Sequence, residues 1–236
     1  MNSFAARLAA LPGAQRTLWP LLSQVPKSFV LYGGTALALC LGHRQSFDFD
    51  FFTSRTFSPA EIQAAVPFLE GGTGAQSVPN ALVVWVRPLP KEREVMVSFF
   101  GGVGFPVIDR PDRPDPAGIV IASLRDLAGT KAKVVNQRAE LKDYLDTSAL
   151  LDASMTLPQI VAAAVAIFPG QVDYISTLVC YISTMSAITY FEDGEAKSFP
   201  EPLKKKLRAA ARNASPVPAP TPSFASIAAS AAALDR

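Results

Sequence analysis

The strongest hydrophobic pattern in the chain lies within its first quarter. Residues 29–32 form a short apolar run that predicts a strand, and in residues 47–51 phenylalanine and aspartate alternate with the period of two that is typical of a strand. Between these two runs, residues 36–42 are apolar on every side, which predicts a short buried helix. We therefore expect a strand, a Gly-Gly turn, a helix and a second strand.

The alternation in the second strand predicts two faces of different chemistry. Phe47, Phe49 and Phe51 are expected in the core, which leaves Asp48 and Asp50 side by side on the other face. Two neighbouring carboxylates repel each other, and Mg²⁺ typically takes one or two protein carboxylates together with water and substrate phosphates. The pattern favours a site for Mg²⁺, with Mn²⁺ as an alternative ion, over simple in/out patterning, because aspartate is disfavoured within strands.

Two adjacent glycines, Gly33 and Gly34, come directly before the predicted helix. Their backbone can approach a phosphate closely, and the N–H groups at the start of a helix bind anions. Thr35 is suited both to cap the helix and to bond a phosphate. Ser46 either contacts a phosphate or finishes a turn, and Arg44 either caps the end of the helix or contacts the ligand.

Further elements follow along the chain. We predict a helix at 59–69, a hairpin of strands at 81–86 and 94–100, a short strand at 119–121, and helices at 123–138, from 141, at 157–168, at 172–191 and at 202–212. This order indicates an α/β (α+β) fold in which a small mixed β-sheet flanked by helices is followed by a helical C-terminal region. The expected domains are a catalytic domain at 1–152, a helical region at 153–213, and an extended, mostly disordered tail rich in proline and alanine at 214–236, with a short Ala-rich helix near its end.

Four charged residues in the predicted helices of the central region form a second group of candidates. Lys131 and Arg138 are seven residues apart, so one helical face can present both to a polyphosphate. Asp143 and Asp146 share a face at a spacing of three residues. They either orient Lys142 or a substrate base, or pair structurally with Arg138.

These motifs together resemble a known family. Gly33-Gly34, a helix, and Asp48-x-Asp50 flanked by hydrophobic residues are similar to the signature of the polymerase-β-type nucleotidyltransferase superfamily. The string GGTALAL, followed by HRxSxDxDFF, is similar to the AbiEii/AbiGii toxin family within it. The segment from residue 124 to 146 extends the match, because that family has a similar "DL…K…R…KDxxD" block.

The resemblance implies a nucleotidyltransferase fold and the transfer of a nucleoside monophosphate from an NTP to an acceptor. It implies that Asp48, Asp50 and Lys131 are catalytic and that the two aspartates hold the metal. The residues implied to bind the nucleotide are Gly33, Gly34, Thr35, Arg44, Ser46, Arg138, Asp143 and Asp146. It also implies the toxin of a bacterial toxin–antitoxin pair, with tRNA or another RNA as acceptor and a separately encoded antitoxin.

One position departs from the superfamily pattern. These enzymes commonly carry a third carboxylate on a later strand, and the corresponding position in the strand at 94–100 holds Ser98. Ser98 cannot act as a general base. Water, the substrate's own phosphates or Asp146 remain as alternatives, and a degenerate domain that binds nucleotide or a partner without turnover is a further interpretation. A third interpretation of the function is a nucleotidyltransferase that acts on a protein or a small molecule.

The amino-acid composition narrows the kinds of binding surface, metal centre and cellular location that the chain can have. The 236 residues include 49% hydrophobic residues and carry a net charge of only +2, so any RNA-binding surface must be local. The basic cluster at 204–212 either holds an RNA backbone or forms a solvated helix face. Two cysteines and one histidine exclude a disulfide framework and a multi-histidine metal centre, which favours a cytoplasmic location. We expect no signal peptide, because Arg7, Pro12 and Arg16 interrupt the N-terminal stretch. We expect no membrane span, because the uncharged stretch at 175–191 contains six serine and threonine residues and lacks flanking basic anchors.

Overall fold

The computed structural model describes residues 5–113, 118–138, 140–187, 189–192 and 195–235. The α-helices are α1 (Gly13–Leu18), α2 (Gly33–Leu41), α3 (Pro59–Ala65), α4 (Leu124–Val135), α5 (Leu141–Asp152), α6 (Leu157–Ile167), α7 (Tyr174–Ala187), α8 (Glu201–Arg212) and α9 (Ile227–Ala232). The strands are β1 (Val30–Tyr32), β2 (Asp48–Phe52), β3 (Thr73–Val78), β4 (Ala81–Val86), β5 (Val95–Phe100), β6 (Val120–Ile121), β7 (Thr189–Glu192) and β8 (Glu195–Ser198).

The main sheet has six strands in the order β3-β4-β5-β2-β1-β6. Strand β2 pairs antiparallel with β1 and parallel with β5, and β1 pairs parallel with β6, so the sheet is mixed. This confirms the predicted fold class of a small mixed sheet flanked by helices. Because β2 lies between β1 and β5, residues from the two neighbouring strands lie beside its aspartates.

The described chain forms two compact units. The first comprises Met1–Leu124 and Ser223–Arg236, and the second comprises Arg125–Pro222. The division therefore falls near residue 124 and not near the predicted boundary at residue 152. Helices α4 and α5 belong to the second unit because Val135 of α4 and Tyr144 of α5 lie in the same hydrophobic cluster as Leu207 of α8.

The C-terminal segment differs from the predicted disordered tail. The predicted Ala-rich helix is present as α9, and its Ile227 and Ala231 are 0% and 1% exposed. Before it, the backbone of Phe224 forms a β-bridge with Val107. The amide of Ala228 also donates to Ser54 Oγ at 3.2 Å. Composition alone predicted too little regular structure in this segment, because the few apolar side chains that it contains are buried in the first unit.

Two strand pairs depart from the sequence prediction. Strand β3 was not predicted, because all six of its residues are exposed and show no alternation. The helix predicted for 172–191 ends at Ala187, and strands β7 and β8 form an antiparallel pair after it. Among the helices that the structure describes, none is by itself long and apolar enough to cross a membrane, although the sharply bent pair α5 and α6 passes a test of length and composition.

Candidate nucleotide and metal site

The site begins where β1 passes directly into α2 at Gly33. Gly33 has a φ of +76°, and a Cβ added there would lie 2.9 Å from Asp50 Oδ2. Both facts require glycine, since other residues avoid this backbone region and a methyl group would displace the carboxylate. The register of β1 and β2, which places Tyr32 opposite Asp50, explains this close approach. The start of the helix therefore lies against one of the two predicted metal ligands.

Strand β2 presents its two aspartates on one face, as the alternation predicts. Phe49 and Phe51 are fully buried, while Asp48 and Asp50 are partly exposed. Phe47 is not part of the core, since it is 57% exposed. The prediction for Phe47 was wrong because the strand begins only at Asp48, so the alternation does not extend to it.

Ser98 lies beside Asp50 on the neighbouring parallel strand. The register of β2 and β5 pairs Asp50 with Ser98 and Asp48 with Met96. Paired residues of adjacent strands point to the same face of a sheet, so Ser98 belongs to the face that carries the aspartates. Ser98 is 2% exposed. Within the described ranges, no group of three or more histidine, cysteine, aspartate or glutamate side chains is arranged to hold a metal.

Thr35 connects α2 to the start of β2. Its hydroxyl donates to the backbone carbonyl of Asp48 and lies 2.9 Å from Ser46 Oγ. Thr35 is 1% exposed and Ser46 is 8% exposed, so both hydroxyls are engaged inside the protein. This role of Thr35, which is to hold the backbone of a metal-ligand candidate, was missed by sequence reasoning. The signal was a threonine directly after the two glycines, but its partner depends on the tertiary fold.

Arg44 lies next to the beginning of α2, not at its end. A Cβ added to Gly34 would lie 2.5 Å from Arg44 Nη2 and 3.1 Å from Ser46 Oγ. Arg44 Nη1 donates to the carbonyl of Gln45 at 2.9 Å. The helix-capping alternative for Arg44 is therefore wrong, since the side chain reaches back to the first turn. A guanidinium beside the N-terminus of a helix adds positive charge where the backbone already favours anions.

Cys40 of α2 is not a nucleophile candidate. Burial raises the pKa of its thiol to about 12, and Asp112 contributes in the same direction. The thiolate is the reactive form, so at neutral pH Cys40 is an inert packing residue.

The other four predicted residues form an ionic network in the second unit, which we call the Lys131 network; three of them are buried and Arg138 is exposed. Lys131 Nζ lies 3.1 Å from Asp143 Oδ1 and 2.6 Å from Asp146 Oδ2. Arg138 Nε donates to Asp143 Oδ2 at 2.9 Å. Both aspartates are 0% exposed and Lys131 is 6% exposed. Asp143 therefore pairs with Arg138, which is the structural alternative that the sequence left open.

The pKa of Arg138 is shifted by its place in this network. Partial burial lowers the pKa, but the hydrogen bond and the charge of Asp143 outweigh burial and the net shift is upward. Arg138 therefore remains charged, and the carboxylate of Asp143 keeps two cationic partners. The predicted site residues thus fall into two groups, Gly33 to Asp50 in the first unit and Lys131 to Asp146 in the second.

The mixed sheet, with its strand-borne aspartate pair beside a Gly-Gly helix start, has the fold of a nucleotidyltransferase. The chain belongs to the nucleotidyl transferase AbiEii toxin family of type IV toxin–antitoxin systems, which it matches over residues 21–232.

Individual proteins resemble the chain over part of their length or at low sequence identity. An uncharacterised protein of Aquifex aeolicus (strain VF5), aq_aa25, is 32% identical over 127 residues, which cover 50% of this chain and 55% of that protein. The chain therefore matches about half the length of this relative. The crystal structure of a candidate nucleotidyltransferase from H. pylori is similar in fold, with a TM-score of 0.51 and 16% identity over 84% of this chain and 90% of that one. MenT4, a nucleotidyltransferase toxin from Mycobacterium tuberculosis H37Rv, aligns with a TM-score of 0.48 and 15% identity over 86% and 82% of the two chains.

Proposed function

We propose that this protein is a Mg²⁺-dependent nucleotidyltransferase that transfers a nucleoside monophosphate from an NTP to an RNA acceptor, specifically tRNA, as the toxin of a toxin–antitoxin system. The observation that carries the proposal is the pair Asp48 and Asp50 on one face of β2, against the Gly33 start of α2. This arrangement supplies carboxylates for a cation and backbone N–H groups for a phosphate within one short segment.

The donor set fits Mg²⁺ with Mn²⁺ as an alternative. Asp48 and Asp50 are partly exposed oxygen ligands at a spacing of two residues on a strand. Mg²⁺ requires only one or two protein carboxylates and takes its other ligands from water and substrate phosphates. Ser98 beside Asp50 leaves the protein with two carboxylates at this position, which is within that range. When bound, the ion would neutralise the charge that develops on the phosphates during transfer.

The chain's own residues would position the nucleotide. The N–H groups of Gly33 and Gly34 and the guanidinium of Arg44 would bind phosphate oxygens, because positive charge is concentrated at the first turn of α2. Thr35 and Ser46 would keep the start of β2 in place. The acceptor hydroxyl oxygen then bonds to the α-phosphorus, the bond to the β-phosphate oxygen breaks, pyrophosphate leaves, and the hydroxyl proton passes to water.

The Lys131 network enters the proposal through the family resemblance. Its block of lysine, arginine and two aspartates is similar to the corresponding block of the AbiEii toxins, which supports a role for Lys131 at the nucleotide. The toxin description of the family supports the antitoxin partner. The RNA acceptor enters the proposal through the family resemblance alone. Cytoplasmic action would follow from these substrates.

A second candidate function is nucleotide binding without turnover. Ser98 favours it, because the residue beside Asp50 cannot accept the proton of an attacking hydroxyl. A ligand that binds only the folded state raises the melting temperature. Under this alternative, an NTP with Mg²⁺ would raise the melting temperature of the wild type but no acceptor would become labelled.

The deciding experiment is incubation of the purified protein with Mg²⁺, each α-³²P-labelled NTP, and either bulk tRNA or a protein extract. The test variant is Asp48→Asn. The matched control is Asp152→Asn, since the side chain of Asp152 is 72% exposed and belongs to the second unit.

We expect label on tRNA with the wild type and with Asp152→Asn but not with Asp48→Asn. Label only in the protein extract would replace RNA by a protein acceptor. An absence of label from every acceptor, with a melting temperature that responds to Mg²⁺ and NTP, would replace transfer by binding.

A further inference from the structure

Helix α8 has an apolar face that is used in the core of the second unit. Leu203, Leu207 and Ala211 are 7%, 0% and 7% exposed and belong to the same hydrophobic cluster as Tyr144. The remaining positions of the helix hold five cations and a single acid, Glu201. Since the whole chain has a net charge of only +2, this helix is a local concentration of positive charge.

The five cations of α8 have different surroundings. Lys206 turns towards α5, where its Nζ lies 2.8 Å from the carbonyl of Ser148 and 2.6 Å from a carboxylate oxygen of Asp152. Lys204 forms an ion pair with Glu201, which lies one turn before it. These two lysines are balanced by local partners.

Lys205, Arg208 and Arg212 form what we call the α8 cationic row. Their spacings of three and four residues place them on one stripe of the helix that spans about 10 Å along its axis. Lys205 and Arg212 are exposed and Arg208 is half-buried. The row lies opposite the buried apolar face, and its two ends, Lys205 and Arg212, are presented to solvent.

The composition of this face selects among anionic partners. A helix that lies in a membrane surface exposes its apolar face to lipid, whereas the apolar face of α8 is buried. A protein interface is centred on aromatic and large apolar side chains, and α8 contains no aromatic residue. A nucleic-acid backbone needs neither, because regularly spaced cations bind its phosphates without sequence preference.

We propose that the α8 cationic row binds the phosphodiester backbone of RNA. The inference rests on the proposed function for the identity of the nucleic acid and assigns a surface of the second unit to holding the acceptor. Contacts of this kind supply affinity through the release of counterions, so binding through the row depends steeply on salt.

The test measures RNA binding in the absence of NTP, so that it does not depend on turnover. The full-length Asp48→Asn protein is titrated into 5′-labelled bulk tRNA at several salt concentrations, alone and with the double substitution Lys205→Gln and Arg212→Gln. The matched control carries Lys91→Gln and Arg93→Gln, which remove the same charge from two exposed positions in the first unit. A triple variant adds Arg208→Gln, and the circular dichroism melting curve of each protein shows that it folds.

We expect the α8 double variant to bind tRNA at least about tenfold more weakly in low salt, with a salt slope reduced by about 2, while the Lys91 and Arg93 control binds as the parent does. Equal weakening in both double variants would overturn the proposal, because the effect would then be one of net charge. The proposal would also fail if the triple variant binds like the parent, or if anionic phosphatidylserine vesicles compete with tRNA. A wild type that labels a protein acceptor but does not bind tRNA would refute this surface while leaving the transferase intact.

Discussion

Two aspartate pairs in this protein have the same residue type and opposite environments. Asp48 and Asp50 lie on a strand, are partly exposed and face a glycine-lined helix start. Asp143 and Asp146 lie on a helix, are 0% exposed and contact Lys131, with Arg138 as a further partner of Asp143. The charge of the second pair is already balanced by protein cations.

This difference indicates that the exposure of the carboxylates to solvent, and not the residue type, decides the role of an aspartate pair. A buried carboxylate without a partner is costly, so the second pair requires its cations for stability. The first pair stays accessible to an ion from solvent. We therefore expect substitutions in the first pair to affect activity and substitutions in the second network to affect folding.

The largest expected effect is the loss of transfer in Asp48→Asn. Under the proposed function Asp48 holds the metal ion, so its substitution should remove several kcal/mol of transition-state stabilisation and lower the rate by about a thousandfold or more. Stability should change by less than about 0.5 kcal/mol, because the side chain is partly exposed. Labelled NTP transfer and urea unfolding measure the two quantities, and a large loss of stability would remove the contrast between the two pairs.

Lys131→Met tests the second network. The substitution leaves two buried carboxylates without their shared cation, which should lower the free energy of unfolding by about 3–5 kcal/mol. The control is Lys142→Met, which removes a lysine with a 51% exposed side chain that pairs with Glu140. Its cost should be within about 1 kcal/mol. Similar unfolding midpoints for the two variants would show that the Lys131 network does not hold the fold.

Thr35→Val tests the link between the two halves of the first site. The methyl group preserves the shape but leaves the carbonyl of Asp48 without its buried donor, which should cost about 1–3 kcal/mol. We also expect a severalfold rise in the Mg²⁺ concentration that gives half-maximal transfer. Thr35→Ser should restore both quantities, and an unchanged Mg²⁺ dependence in Thr35→Val would reduce Thr35 to a packing residue.

The smallest expected effect is that of Ser98→Ala. Ser98 lies beside Asp50, but a hydroxyl is neither a strong metal ligand nor a base. The rate of transfer should therefore stay within about threefold of the wild-type rate. A loss of a hundredfold in the same labelling assay would show that Ser98 takes part in the reaction.

The local sequence pattern was sufficient to predict the strands and the helix that carry the candidate site, but it did not predict every strand of the sheet. Strands β1 and β2 and helix α2 follow from apolar runs and an alternation that are visible in the sequence, and α3 begins at residue 59, as predicted, with Ser58 as its N-cap. Strand β3 is exposed on both faces, so it has no apolar period to detect. Its place in the sheet depends on pairing with β4, which is a tertiary property.

The same limit applies to the site. The spacing of Asp48 and Asp50 correctly predicted their shared face, because a strand alternates strictly. The sequence does not show that Arg44 returns to Gly34, since that depends on the turn after α2. Nor does it show that Lys131 is buried between two carboxylates, because the ion pairs join separate helices.

The return of residues 223–235 to the first unit has a consequence for the order of events during synthesis. A ribosome produces α9 only after the entire second unit, although Ile227 and Ala231 are buried parts of the first. Domains of most proteins finish folding in the order in which they are made. Here the nascent chain can complete its second unit first, and the unit that carries Asp48 and Asp50 completes its core only after α9 has been made.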